Sequence, residues 1–470
     1  MKRLAATLLG IAFLAGCALG RDYHRPAVAT PQAWRGAAAS AEHESLANLS
    51  WWELFQDDEL RAYLAEALQA NKDLRLAVAR VDQSRARVGI TRAHQLPRLD
   101  GTASYARERI SEKGTFPLTD PETDLFDVGA DAAFELDLWG KLRRASEAAR
   151  AELLASEAAR EAVVLALVGD VAGTYLELRE RDLELDITRR SVAARRQSLG
   201  IVRDRFDAGL TSPLDLRQAE ADLASTEAQL PDLERGIAET EHRLSILLGR
   251  NPGEIRRGKE LAEQVFPPSV PAGLPSALLE RRPDIRQAEE ALVAANARIG
   301  VAKAAFFPEI DLTGAFGVES VALSDLFTGP ARAWQFGPRV TLPIFHGGEN
   351  VANLELAQAE EQEALIRYEQ SIQQAFRETE DALIAHEKAR EALATQREAV
   401  RASREALGVA ESRYTSGLTT YLNVLDTQRT LLAAEIAESR TLLAELGAVV
   451  RLYRALGGGW NAEQVTAARD

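Results

Sequence analysis

Side chains that could do chemistry are few and scattered. The six histidines, His24, His43, His94, His242, His346 and His386, show no ligand spacing, and the chain has one cysteine, Cys17. That supplies neither a zinc set nor a thiol-imidazole pair. Gly457-Gly458-Gly459 lacks the lysine and the strand-loop-helix setting of a phosphate loop. No catalytic residue, resident metal or cofactor is expected, and the chain does not read as an enzyme. The segment Tyr421-Leu422-Asn423-Val424-Leu425-Asp426-Thr427-Gln428-Arg429 is more informative. Leu422 and Asp426 stand four apart and share a helix face, with Arg429 three beyond. One reading is a wet Asp426–Arg429 ion pair, worth roughly a few tenths of a kcal/mol, with Leu422 in a helix seam. The other is a constriction: around a symmetry axis the leucines would block a bore and the aspartates would attract cations. Leu214 aligns with Leu422 in an earlier, similar segment, with Asp215 beside it and Gln218 in place of Asp426.

Cys17 points to a different chemistry. Lys2 and Arg3 precede an apolar run from Leu4 to Leu14, and Leu14-Ala15-Gly16-Cys17 ends it on small residues and a thiol. Residues 1–16 read as a cleaved signal peptide, because the run is shorter than the roughly twenty residues that span a bilayer. The sequence LAGC resembles the bacterial lipobox. That resemblance implies cleavage before Cys17, acylation of its sulfur and new N-terminus, and, with Ala18 rather than aspartate following, an outer-membrane destination. Several acyl chains make a stable anchor in membrane lipid.

The remaining composition fits helices. Acidic residues outnumber basic ones, 71 to 56, for a net charge of -15, so nucleic acid is excluded as a partner. Aromatic residues make up only 6% while apolar residues make up 46%, as in long, closely packed helices. Met1 is the only methionine, which argues against thioether relays for soft copper or silver ions.

The chain is written twice. Ala86 to Asp100 reads ARVGITRAHQLPRLD and Ala297 to Asp311 reads ARIGVAKAAFFPEID; Arg205 to Thr211 likewise lies over Arg413 to Thr419. Each copy opens on a helix, Glu59 to Ala93 and then Ser276 to Ala305, closed by Pro97 or Pro308. Two strands follow in each. Phe126, Val128, Ala130, Ala132, Phe134, Leu136 and Leu138 alternate with Asp127, Asp131, Glu135 and Asp137, a period of two. The strands are expected at about 99–108 and 126–138, then 310–319 and 333–344, with Pro338 and Pro343 weakening the last. Lys141 to Asp207 and Glu349 to Thr415 then run without proline. A rod on the order of 100 Å follows for each at 1.5 Å per residue. Val171, Leu178, Leu185, Val192, Leu199 and Phe206 form a heptad seam, continued by Leu393, Val400, Leu407 and Tyr414. Gly209 and Gly417 end the rods, and helices return over Pro213 to Leu248, interrupted at Pro231, and over Thr420 to Leu456. The organisation expected is 1–16 signal peptide, 17–58 an extended anchored segment, 59–250 repeat one, 251–275 linker, 276–456 repeat two, and 457–470 a tail.

Four strands are too few to close a barrel, and an open sheet edge has no hydrogen-bond partners in lipid. If the strands span a membrane, several chains must share one barrel. A soluble sheet with one wet face shows the same alternation, so a structural spacer lipoprotein stays open beside a channel.

On Trp51-Trp52-Glu53-Leu54-Phe55 with Asp57 to Leu60, on Arg281-Arg282-Pro283-Asp284-Ile285, on the turns at Gly209 and Gly417, and on Leu452 to Trp460, nearly the whole chain resembles the TolC-like outer-membrane efflux proteins, in their NodT-type lipoprotein branch. The resemblance implies a mainly α fold with a transmembrane β-barrel. It implies a homotrimer sharing twelve strands and a twelve-helix periplasmic tunnel. It also implies a periplasmic adaptor and an inner-membrane RND-type pump as partners, lipid anchoring in the outer membrane, and passive export of small toxic compounds; a protein-secretion duct is the alternative. Carried onto this chain, the family's periplasmic gate falls on Leu422, Asp426 and Arg429, with Leu214 and Asp215 as neighbours.

Overall fold

The computed structural model describes residues 18–31, 33–35, 50–111, 113, 122–264 and 275–458. In chain order the elements are α1 (Trp51–Leu54), α2 (Asp58–Ala70), α3 (Lys72–Ala93), β1 (Arg98–Arg109), β2 (Glu122–Glu135), α4 (Lys141–Asp207), α5 (Pro213–Glu227), α6 (Leu230–Leu247), α7 (Leu278–Arg281), α8 (Pro283–Ala304), β3 (Glu309–Ser320), β4 (Arg332–Thr341), α9 (Glu349–Thr415) and α10 (Tyr421–Ala455). The duplicated order of helix, two strands and long hairpin is present. Two compact units divide the chain. Cys17 and residues 1–16 lie outside the described residues, as do most of the tail and residues 265–274 of the linker.

The first unit holds the sheet, with Arg80–Glu157, Gln287–Glu369 and the described residues up to Ala27. Its strands run antiparallel in the order β1-β2-β3-β4. β2 ends at Glu135 rather than continuing to Leu138. The reason is Asp137, whose carboxylate accepts the backbone N–H groups of Leu142 (3.2 Å) and Arg143 (2.9 Å) and so caps α4. At its other end β2 reaches back to Glu122, where Arg107 of β1 pairs with it at 3.0 Å. β4 stops at Thr341, before Pro343, which could not donate to the ladder. Pro338 stays in the strand, because β4 is an edge.

The second unit is helical and comprises the described residues of Val28–Ala79, Ala158–Arg286 and Gln370–Asp470. Its heptad seam is buried at Val171, Leu178, Leu185 and Val192, and at Leu393, Val400 and Tyr414. Both hairpin turns close as the spacing requires. Gly209 sits at φ +69 and Gly417 at φ +73. The following N–H reaches back to the helix at 2.8 Å in each, Leu210 to Arg205 and Leu418 to Arg413, which is the Schellman arrangement.

Three expectations about local structure are corrected. The helix expected from Glu59 to Ala93 is broken at Asn71, whose side chain accepts the Leu74 N–H at 3.0 Å and donates to the Leu247 carbonyl at 2.8 Å. The helix expected from Ser276 to Ala305 breaks at Arg282, held extended (φ -75°, ψ 120°) ahead of Pro283. The segment 17–58 is not extended throughout, since Trp51–Leu54 forms a turn of helix and Asp57 caps α2. The linker 251–275 has local structure of its own. Leu261–Glu263 forms a 3-10 turn, and Asp57 accepts hydrogen bonds from the Tyr175 hydroxyl (3.0 Å), the Lys259 N–H (2.9 Å) and the Gln264 amide (2.8 Å). That buried carboxylate ties the segment before repeat one to the linker behind it.

Candidate functional site

Among the described residues no helix is long and apolar enough to cross a membrane. The sheet is the element to consider. Register assigns every strand residue to a face, since alternate side chains point to opposite sides. Leu99, Ala103 and Tyr105 stand across from Ala132, Val128 and Phe126. Those in turn neighbour Gly314, Val318 and Ser320, while Phe316 and Gly314 face Trp334 and Phe336 on β4. One face is thus apolar, and it is exposed: Leu99, Phe316, Trp334 and Phe336 are each at least 65% accessible. An exposed contiguous patch of large apolar groups marks a partner or a membrane.

The opposite face is polar, with acids set against acids. Asp100 faces Asp131 across β1 and β2, and Asp127 and Glu135 of β2 face Glu319 and Asp311 of β3. Directly opposed like charges destabilise a sheet unless water or cations screen them, which suits a wetted surface. Glu135, Glu309 and Asp311 come together, and Lys141 stands at 3.0 Å from Glu135 and 3.5 Å from Glu309, offsetting part of their charge.

The hairpin-turn region of the second unit holds the other candidate. Val202, Leu216, Ala219, Ala410, Tyr414, Tyr421, Val424 and Leu425 pack as one cluster, with the Tyr414 and Tyr421 rings edge to face at 5.5 Å. Burial pushes the Tyr421 hydroxyl up to about 12, and the charge of Asp222 adds to the shift. Leu422 is not in this seam: it is 54% exposed, and Asp426, one turn on, is exposed too. Arg429 does not pair with Asp426. Its Nε donates to Asp222 Oδ1 at 2.7 Å, across on α5. Asp222 is buried at 3% exposure, and Arg195 of α4, equally buried, donates Nε to its other oxygen at 2.5 Å. Arg195 also donates to the Ser191 (2.8 Å) and Thr226 (2.7 Å) hydroxyls. Three helices are therefore joined through one carboxylate. Leu214 is exposed on α5. Asp215 is committed to the cap of that helix: its Oδ2 accepts from the Thr211 hydroxyl (2.7 Å) and the Ser212 hydroxyl (3.0 Å). Burial alone would raise its pKa, but these bonds outweigh it and hold the carboxyl below the usual range.

Asp222 and Arg195 are absent from the sequence-based site. A signal existed: Arg195 stands three residues after Val192, at the second apolar position of the heptad, where a charge must find a partner.

Comparison with known proteins identifies the family and the fold. The family model described as outer membrane efflux protein matches residues 63–250 and 274–458. The solvent efflux pump outer membrane protein SrpC of Pseudomonas putida is 38% identical over 99% of the chain and all of its own length. The cation efflux system protein CusC of Escherichia coli K12 is 35% identical, covering 95% of the chain and 97% of its own. The open-state crystal structure of the Neisseria gonorrhoeae MtrE outer membrane channel superposes with a TM-score of 0.85 at 34% identity, over 94% of this chain and 98% of that one.

Proposed function

The chain belongs to the outer membrane efflux protein family and is an outer-membrane component of an efflux system, and from that premise we propose how its parts make a duct. Three copies set their four-stranded sheets edge to edge as one twelve-stranded barrel. The apolar face meets lipid and the acid-lined face meets water. The observation that carries this reading is the sheet itself: one face exposed and apolar, and both edges, β1 and β4, without a partner strand among the described residues. In lipid such edges must be paired, so more than one chain is needed; the count of three comes from the family resemblance. A soluble spacer would not leave that face bare.

The long hairpins of the three copies form a twelve-helix tunnel in the periplasm. A periplasmic adaptor joins the tunnel to an inner-membrane RND-type pump, and the duct itself is passive. Its cargo is small toxic organic compounds, in keeping with the solvent pump relative. The cation efflux relative suggests metal ions, but a chain whose only methionine is Met1 lacks thioether ligands for soft ones. Cys17 carries the lipid anchor. Leu422 and Asp426 form leucine and aspartate rings at the periplasmic constriction, with Leu214 and Asp215 beside them and the Arg429–Asp222 pair as latch.

The test uses two neighbours in one strand. Trp334→Arg places a charge in lipid, at a cost of about 2–4 kcal/mol near the midplane, and should abolish heat-stable oligomer in outer-membrane fractions. Gln335→Arg, on the watery face, should leave it intact and still conduct in planar bilayers. Equal behaviour of the two would remove the barrel reading.

A further inference from the structure

The residues that follow Cys17 carry no sequence pattern, and an N-terminal stretch is ordinarily loose unless it is tied down. Ala18 to Arg25 is tied down at six points. The Leu19 N–H donates to the Trp139 carbonyl at 3.0 Å. Arg144, 5% exposed, donates Nε to the Leu19 carbonyl at 3.2 Å and its terminal nitrogen to Asp22 at 2.7 Å. Farther on, Arg25 forks onto both oxygens of Glu289 at 2.7 and 2.6 Å, and the Tyr23 hydroxyl donates to the same carboxylate at 3.3 Å.

The surface beneath is shaped for this stretch. Gly140, at φ +79, has Ala18 where a side chain would begin: a Cβ would lie 2.7 Å from the Ala18 Cα. On α8, a Cβ at Gly300 would lie 2.6 Å from the Leu19 carbonyl oxygen. Two glycines, one in the bend before α4 and one on α8, thus keep a groove clear for backbone. The groove lies at one rim of the sheet. Trp139 follows β2 and donates its indole N–H to the Pro308 carbonyl at 2.8 Å, just before β3, with its ring 4.8 Å from that of Phe307. Paired aromatic rings at a strand rim are the interface marker of a membrane barrel.

We propose that Ala18 to Arg25 is a docking strap that seats the lipid-bearing N-terminus on the Trp139–Phe307 rim, so that the acyl chains and the sheet enter the membrane at one fixed depth. The inference rests on the lipid-anchor reading of Cys17. One peptide unit, about 3.8 Å between Cα atoms, separates Cys17 from Ala18, so little slack lies between anchor and strap. A seated anchor presents each sheet edge at the interface in one orientation, where a slack tether would spread it over many.

The test compares full-length chains. Ala-Gly-Ser-Gly-Ser-Gly inserted between Cys17 and Ala18 adds roughly 20 Å of slack ahead of the strap; the same six residues between Ala27 and Val28 add it behind. After pulsed expression, the first should slow the appearance of heat-stable oligomer by about tenfold, the second by less than about twofold. Asp22→Ala with Arg25→Ala, which alters only exposed strap residues, should match the first and speed trypsin cleavage after Arg21 by about tenfold. Mass spectrometry of the mature N-terminus checks acylation separately. Unmodified Cys17 would defeat the anchor reading, while unchanged cleavage in the double variant would defeat docking. Acylated protein that assembles equally fast with either insertion would defeat the depth-setting role.

Discussion

Arg429→Ala should loosen the proposed periplasmic constriction without unfolding the chain. The guanidinium is 58% exposed, whereas the carboxylate it holds is 3% exposed. A wet ion pair contributes about 0.2–1 kcal/mol and a hydrogen bond to a charged group about 1.5–3, so a bond with one end in each setting is worth about 1–2 kcal/mol. That corresponds to roughly a five- to thirtyfold change in the closed-to-open ratio per chain. Removing Arg429 leaves Asp222 bonded to Arg195 at 2.5 Å, so no buried charge is stranded. Asp222→Ala is the contrast. It leaves Arg195 buried without its counter-charge, at a cost of about 3–5 kcal/mol. Single-channel recording in planar bilayers, with melting in detergent followed by circular dichroism, separates the two. Arg429→Ala should raise open time at nearly unchanged melting temperature, and adding Asp426→Ala should raise conductance further. Asp222→Ala should melt early and assemble poorly. If Arg429→Ala leaves closed-channel conductance unaltered, or melts as early as Asp222→Ala, the pair is a structural tie and the latch is wrong.

Asp57 should make the helical unit acid-labile. Burial alone would raise its pKa, but hydrogen bonds from Gln264, Leu60, Tyr175 and Lys259 outweigh that and hold it below the usual carboxylate range. A depressed folded pKa adds stability above the unfolded value of about 3.9, lost as pH falls through the folded value. Asp57→Asn should therefore cost about 1–3 kcal/mol at pH 7 and flatten the melting curve below about pH 4; an unchanged acid limb would place the lability elsewhere. Cys17→Ala behind a cleavable signal should still reach the membrane, with slower assembly, as judged by flotation. Complete release as a soluble periplasmic protein would make the lipid the only anchor and sink the barrel.

Features set by short-range rules were legible in advance. The duplication, the alternation around Phe126, the heptad from Val171 to Phe206 and the turns at Gly209 and Gly417 each depend on a local period or a single residue's backbone freedom. Where the sequence misled, a side chain had found a distant or competing partner. Asn71 breaks its helix by capping the next one and bonding the Leu247 carbonyl, and Asp137 leaves its strand to cap α4. At the proposed constriction, Leu422 and Asp426 could be placed on one face by arithmetic. Arg429's partner could not, because Asp222 lies on another helix 207 positions away. The strap was invisible for the same reason: its groove is made by glycines at 140 and 300 that carry no side-chain signal.

The two edges of the sheet, unpaired among the described residues, also have a genetic consequence. In the proposed barrel β1 and β4 of one chain are completed by its neighbours, so an allele damaged at an edge would harm every ring it joins. In a cell making equal amounts of sound and damaged chains, about one threefold ring in eight would be wholly sound. Such alleles should be dominant, whereas alleles that prevent secretion, and so never reach the ring, should be recessive.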